Sequence, residues 1–322
     1  MNRALVGKAF YEGLVLFIPC AVGLLAFAWL RVWVVSLIDS LRFKQIIDLL
    51  PKEFERFSPI EFEWLTSFTG RTALTYEEPM LILVFSTWAI VRGSDVVSGE
   101  LNRGTMEMVL AQPVSRQQVY WTPIVATLLG MVVLSALVWV GMYVAVATSV
   151  VTESRYPEIR VPFWGYTIPL TFMEPIKEKI AMRELIDPLV YVPGSVNLLA
   201  LGIFLLGLSA CISAMDRYRW RTLGIVFGVY FVCAMFKVGA MSTPLLSWLN
   251  YFSFFSLYES QVHIKLAEES AASYWSLWMP AVEGSMAGLG PLGHNALLAG
   301  GGIAMLIIGS VAFERRDLPA PM

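Results

Sequence analysis

Apolar residues are grouped along the chain into six runs, separated by segments in which polar and charged residues dominate. A helix that crosses a bilayer needs about 20 apolar residues, and five of the runs reach or approach that length. The second run, Pro79–Val91, is too short by itself and must continue on one side to cross. The pattern predicts six transmembrane helices, at about residues 14–31, 79–97, 119–150, 192–215, 222–244 and 294–313.

The side of the membrane follows from the arginines and lysines, which are enriched in short cytoplasmic segments. The turn Asp216–Arg221 contains three arginines in six residues. This turn lies on the same side as both chain termini, which we therefore place in the cytoplasm. Arg31 and Lys237 lie near the outer ends of their helices, and we expect their long side chains to reach the headgroups.

The predicted outer loops are long and partly amphipathic. Leu41–Trp64 and Phe252–Leu266 have mixed patterns that favour helices lying on the outer leaflet over a substrate-binding role. The aromatic residues of Tyr274–Trp278 are typical of the headgroup region. The predicted fold is an all-α polytopic membrane protein with six transmembrane helices, cytoplasmic termini and long outer loops that carry interfacial helices.

Composition supports this class, because 57% of the residues are hydrophobic and only 15% are charged, against about 25% charged in soluble domains. The net charge of −2 does not indicate a nucleic-acid partner. Cys20, Cys211 and Cys233 lie inside apolar runs, which favours buried side chains over disulfides or a metal site. The apolar run Leu14–Leu30 exceeds a typical signal-peptide core, so we interpret it as a retained helix.

A polar segment rich in glycine lies between the second and third predicted helices. We expect Gly99 and Gly104 to divide it into short pieces. Thr105 is a suitable N-cap for a short helix over Met106–Gln112, which Pro113 would end. The segment is therefore predicted to be a compact cytoplasmic turn and not an extended loop.

Two features of this segment indicate where the next helix begins and which surface the short helix exposes. Ser115 and Gln118 have the spacing of a capping box, which would begin the helix leading into the third span. The short helix would expose Met106, Val109 and Leu110 on one side. An apolar helix face of this kind is suited to a groove on a cytoplasmic partner.

Residues 98–116, Ser-Gly-Glu-Leu-Asn-Arg-Gly-Thr-Met-Glu-Met-Val-Leu-Ala-Gln-Pro-Val-Ser-Arg, resemble the coupling loop of type-2 ABC permeases, the membrane subunits of ATP-binding-cassette exporters. Leu249–Phe255 is similar to a family segment after span five, although Phe254 replaces the usual proline. Phe313–Leu318 resembles the common chain ending. Trp121-Thr122 stands where many relatives have Gly-Lys, so the local contacts there can differ from the family pattern.

The resemblance implies a single permease domain over residues 1–322 of a cell-membrane transporter. Its coupling region, residues 98–118, would bind a separate cytoplasmic ATPase subunit. ATP and magnesium would be held by that subunit and no cofactor by this chain, whose sequence has no Gly-x-x-x-x-Gly-Lys-Ser/Thr loop. Six spans would form half of a transporter, with a second copy or a sibling permease as the other half and membrane lipid around both. The residues assigned to ATPase binding are Glu100, Gly104, Thr105, Met106, Glu107, Val109, Leu110, Pro113, Ser115 and Arg116.

Two other function classes remain as alternatives. An ion-coupled secondary transporter or channel would bury ionisable residues within the membrane. A membrane-embedded enzyme would need a base or nucleophile near an acid pair such as Glu77 and Glu78. His263 and His294 are both predicted on the outer side, and the paired acids are more typical of a solvated helix end. Uncharged spans are compatible with lipids, amphipathic drugs, peptides or polysaccharide precursors as substrate.

Overall fold

The computed structural model describes residues 3–51, 57–58, 60–155, 158–160, 167–169, 176–270, 272–279 and 288–316. The α-helices are α1 Arg3–Ser36, α2 Ser40–Asp48, α3 Phe62–Leu65, α4 Phe68–Ala73, α5 Pro79–Ser94, α6 Glu100–Arg103, α7 Met106–Leu110, α8 Arg116–Thr148, α9 Met182–Leu185, α10 Val192–Met215, α11 Arg219–Ser242, α12 Ser260–Glu269 and α13 Pro291–Arg315. The 3-10 helices are Leu74–Glu77, Pro188–Tyr191, Pro244–Phe252, Phe254–Leu257 and Ser273–Trp275, and Asp95–Gly99 forms a π turn. The strands are β1 Val150–Arg155, β2 Glu158–Arg160, β3 Thr167–Pro169 and β4 Ile176–Ala181.

Six helical segments in these ranges are long and apolar enough to cross a membrane, which confirms the predicted number. The second segment is much longer than the predicted residues 79–97, since helical turns continue from Phe68 to Arg103. Pro79 does not end it, because proline is tolerated at the first position of a helix. The six segments are Arg3–Ser36, Phe68–Arg103, Arg116–Thr148, Pro188–Met215, Arg219–Ser242 and Pro291–Arg315.

Helix α10 lies at the centre of the bundle, where Leu198, Leu201 and Leu205 are fully buried. It crosses α13 at Gly207 and Gly302 so closely that a Cβ on Gly207 would lie 2.1 Å from the carbonyl oxygen of Gly302. Small residues allow this close packing of membrane helices. The core therefore forms around α10, and α1 and α11 lie at the periphery.

The loops at the end of the bundle opposite α7, which we call the far end, differ from the predicted set of interfacial helices. Strand β1 pairs antiparallel with β4 in a small sheet, and β2 pairs with β3 in another. Helix α2, Ser40–Asp48, covers the start of the amphipathic stretch Leu41–Trp64, where a helix was predicted. Helix α12 also forms, but Gln261, His263 and Ile264 are buried against the bundle, so this helix does not lie on a leaflet surface.

Three charged residues have environments that the sequence did not predict. The guanidinium of Arg31 binds Glu78 at 2.9 Å, and the ammonium of Lys237 binds Glu259 at 2.7 Å. Neither cation needs a lipid headgroup, because each has a carboxylate partner inside the chain. The prediction of a solvated helix end at Glu77 is also wrong, since its Oε1 atom is buried.

Candidate functional site

Helix α5 continues through the π turn into α6, and so reaches the polar segment without a break. The wide turn frees backbone groups that a regular helix would pair. The Oγ atom of Ser213 on α10 accepts hydrogen bonds from the backbone N–H groups of Val97 at 3.2 Å and Ser98 at 2.9 Å. It donates to the carbonyl of Ser94 at 2.9 Å. The turn is thereby held by the central helix of the bundle.

Of the two glycines expected to break the chain, only Gly104 does so. Its φ of 70° is left-handed, and its N–H bonds the carbonyl of Leu101 at 3.1 Å to end α6. Gly99 lies inside the π turn, where a Cβ would be only 2.0 Å from the carboxylate of Asp95. The prediction for Gly99 is therefore wrong, and its small size serves packing.

Glu100 faces the interior of the protein and is only 8% exposed. Its carboxylate accepts from Lys8 of α1 at 2.9 Å and from Arg103 at 2.9 Å. The hydroxyl of Thr105 donates to the same carboxylate. Thr105 is the N-cap residue of α7, but its side chain makes no capping bond, which corrects that prediction. Glu100 thus joins α1, α6 and the start of α7.

Asp95 joins a second set of helices. Its carboxylate lies 2.7 Å from Arg103, 3.5 Å from Arg219 of α11 and 3.7 Å from Arg92 of α5. Lys8 and Asp95 belong to this site but were not predicted as site residues. The i, i+3 spacing of Arg92 and Asp95 indicates that these two side chains can pair on one helix. It does not identify the partners of Asp95 on other helices.

Helix α7 is shorter than the predicted Met106–Gln112 and ends at Leu110, before Pro113. Met106 is 1% exposed and belongs to the core, so the prediction that the short helix exposes it is wrong. It points inward because α7 packs on the end of the bundle, and Val109 and Leu110 are half-buried there.

The outward surface of α7 and the following turn carries Glu107, Met108 and Pro113, all exposed. Met108 was not among the predicted site residues, although 65% of its surface is accessible. Its position two residues after Met106 places it on the opposite side of the helix. The pattern of apolar residues alone could not show which of the two methionines is buried.

The start of α8 is fixed to the end of α13. Ser115 and Gln118 form the predicted capping box, with both reciprocal bonds present. The guanidinium of Arg116 donates to the carbonyls of Glu314 at 3.1 Å and Arg316 at 2.7 Å. This confirms the capping prediction and shows that Arg116 binds backbone within the chain.

Arg316 in turn binds the turn between α10 and α11, donating to the carbonyls of Ala214 at 2.9 Å and Asp216 at 3.0 Å. The side chain of Asp216 accepts two bonds from Arg221, each 2.6 Å long. These bonds hold the pKa of Asp216 below its ordinary value. All the long helices are therefore connected to α7 or to its neighbouring turns.

Comparison with protein-family models gives a match over residues 43–318 to the family described as ABC-2 family transporter protein. No curated protein matches the chain. The match begins in α2 and includes the π turn, α7 and the five helical segments that follow α1. The chain belongs to the ABC-2 transporter family, as a multi-pass membrane protein that is a transporter component rather than an enzyme.

Proposed function

We propose that the chain is the permease subunit of an ATP-driven exporter, and that residues 98–118 bind a separate cytoplasmic ATPase subunit. The observation that carries the proposal is the two-sided arrangement of α7. Glu107 and Met108 face outward, while Met106 packs into the core and Glu100 binds three side chains behind the helix. A surface supported in this way transmits movement of a bound partner to the membrane helices.

The assigned residues divide into two roles under this proposal. Glu107 and Pro113, together with Met108, would contact the ATPase directly. Val109 and Leu110 are half-buried and would form the edge of the contact. The remaining assigned residues hold the surface in place: Glu100, Gly104, Thr105, Met106, Ser115 and Arg116.

The rest of the assembly follows from the same proposal. ATP and magnesium would bind the ATPase subunit, and a second permease copy or a sibling would complete the pathway. Large apolar side chains are exposed along the peripheral helices, as at Val15 of α1 and Met235 of α11, with 80% and 71% accessible. Such surfaces suit either lipid or a second permease. We propose the cell membrane as the location.

The test is co-purification with a cytoplasmic ABC ATPase subunit from the same organism, followed by ATP hydrolysis in lipid nanodiscs. We expect Glu107→Lys to weaken ATPase binding at least about tenfold, because charge reversal at an interface costs several kcal/mol. The permease-dependent part of ATP hydrolysis would fall with it. Glu184→Lys is the matched control, since Glu184 is also an exposed acid on a short helix but lies at the far end.

Two results would contradict the proposal. One is normal binding and hydrolysis in both Glu107→Lys and Met108→Asp. The other is substrate transport by the purified permease without an ATPase, which would favour an ion-coupled transporter.

A further inference from the structure

An apolar groove lies on the side of the bundle between α1, α5 and α8. Its volume is about 270 Å³, whereas a cavity of about 150 Å³ is enough to hold benzene. Phe10, Leu14 and Val133 lie at its mouth and are 46%, 45% and 47% exposed. The buried ring of Trp88 forms part of the inner wall. The groove is therefore large enough for part of an acyl chain and accessible from the surrounding lipid.

The groove has a polar end, at the guanidinium of Arg92, which is only 5% exposed. Its Nη2 atom donates to the carbonyl of Ala9 at 3.0 Å, and its Nη1 atom lies 3.7 Å from the carboxylate of Asp95. The Nε atom has no hydrogen-bond partner among the described residues. Because an unpaired buried donor is costly, a ligand that accepts a bond from Nε would be stabilised.

Gly13 of α1 leaves space between this Nε atom and the groove. A Cβ at position 13 would lie 3.8 Å from Nε of Arg92 and 3.5 Å from the ring of Trp88. Both distances are ordinary van der Waals contacts, so a substitution is tolerated there, but a longer side chain would occupy the groove. The unpaired donor therefore lies beside the space that an acyl chain would enter.

The charges around the polar end favour an anion. A smaller space of about 40 Å³ adjoins Arg92 and is also lined by Lys8 and Glu100. Within the described ranges, ion pairs connect seven charged residues here: Lys8, Glu12, Arg92, Asp95, Glu100, Arg103 and Arg219. Four of them are cations and three are carboxylates, which leaves one positive charge in excess. The charge and the small space together suit one carboxylate.

We propose that the groove binds a single long-chain carboxylate, with its acyl chain between α1 and α8 and its headgroup at Nε of Arg92. A neutral lipid tail would fill the apolar part but would leave this donor unpaired. A phospholipid brings two acyl chains and a bulky headgroup, and fits the two spaces less well. The site is separate from the outward surface of α7, and the binding does not depend on the proposed ATPase contact.

The experiment photolabels the purified full chain in phosphatidylcholine nanodiscs. The probe is a palmitate analogue with a diazirine in its acyl chain, and mass spectrometry locates the labelled residues. We expect saturable labelling of α1 and α8 along the groove. At alkaline pH, where the carboxylate is ionised, unlabelled palmitate should compete at least about tenfold better than hexadecanol, because only the carboxylate accepts a charge-assisted bond from Arg92.

Three variants separate the charge from the space. Arg92→Gln removes the cation and should abolish the preference for palmitate over hexadecanol. Gly13→Leu places a branched side chain in the groove and should weaken competition by both compounds at least about tenfold. Gly23→Leu is the matched control, because Gly23 is on the same helix and no atom lies within 4 Å of its Cβ position. It should bind palmitate as the original chain does.

Several results would overturn the proposal. Equal competition by palmitate and hexadecanol in the original chain would mean that the groove holds bulk lipid only, and this comparison needs no variant to fold. Unchanged palmitate binding in Gly13→Leu would place the site elsewhere. Displacement of the probe by phosphatidylglycerol but not by palmitate would assign the groove to a two-chain lipid. Labelling of monomers but not of dimers would assign it to a second copy of the chain.

Discussion

Gly99 and Gly104 lie five residues apart in the sequence, but they are required for different reasons. Gly104 has a left-handed backbone, and no atom lies within 4 Å of the position of a Cβ. Gly99 is surrounded by the carboxylate of Asp95 and has no room for a side chain. A side chain at position 104 is therefore disfavoured by the backbone conformation, and a side chain at position 99 by lack of space. Substitutions can distinguish these two causes.

We expect Gly104→Val to lower stability by about 1–2 kcal/mol, the cost of a left-handed conformation for an ordinary residue. Gly104→Asn should cost less, because asparagine tolerates this conformation. Thermal unfolding in nanodiscs measures both. Gly7→Ala is the control, since Gly7 is helical and its Cβ position is also open. Equal damage by valine and asparagine would show that conformation is not the cause.

At the scale of the helices, the crossing of α10 and α13 sets the packing of the core. Gly302 of α13 lies against α10 so closely that a Cβ would be 2.4 Å from the carbonyl oxygen of Ile203. Gly300, two residues earlier, has no atom within 4 Å of its Cβ position. A run of three glycines, residues 300–302, permits close helix approach, but only the structure shows that Gly302 lies against the backbone of α10.

We predict that Gly302→Val lowers the thermal midpoint of the purified chain strongly, because the helices must separate and overpacking costs about 1–3 kcal/mol or more. Gly300→Val is the matched variant and should leave the midpoint unchanged or raise it slightly, since valine is a better helix former than glycine. Similar losses in both variants would contradict the assigned crossing point.

The spans were predictable because a membrane helix must be apolar along its length, whatever it packs against. The second span was underestimated at both ends because Arg71, Glu77 and Glu100 are charged, and a sequence pattern treats such residues as solvated. The partner of Glu100 is Lys8, which comes from a distant helix. The inward side of α7 was assigned wrongly for a related reason. A helix as short as Met106–Leu110 has no periodicity long enough to identify its buried face.

At the scale of the whole molecule, the two ends of the bundle have different chemistry. The end with α7 is held by partnered charges around Asp95 and Glu100, whereas the far end buries the imidazoles of His263 and His294. The mixed pattern of Phe252–Leu266 predicted an interfacial helix for His263, because it could not show that this side chain packs beside His294 of another helix. The orientation of the two ends follows only from the distribution of arginine and lysine, and needs a separate test.

We expect Met108→Cys and Trp220→Cys to react with a membrane-impermeant maleimide only after cells are opened, because both residues lie at the α7 end. Leu245→Cys, which is 82% exposed at the far end, should react in intact cells. Mass spectrometry of the labelled chain measures both. Labelling of Met108→Cys in intact cells would contradict the cytoplasmic orientation and the proposed ATPase contact.

The π turn at Asp95–Gly99 also sets the direction, around the helix axis, in which the side chains of the following residues point. Each residue advances an α-helix by about 100°, and a π turn contains one residue more than an α turn. Deleting a single residue there would rotate Glu100 away from Lys8 and point Gly104 in another direction. The side of the molecule on which α7 emerges is thus set by one inserted residue, which Ser213 keeps in place.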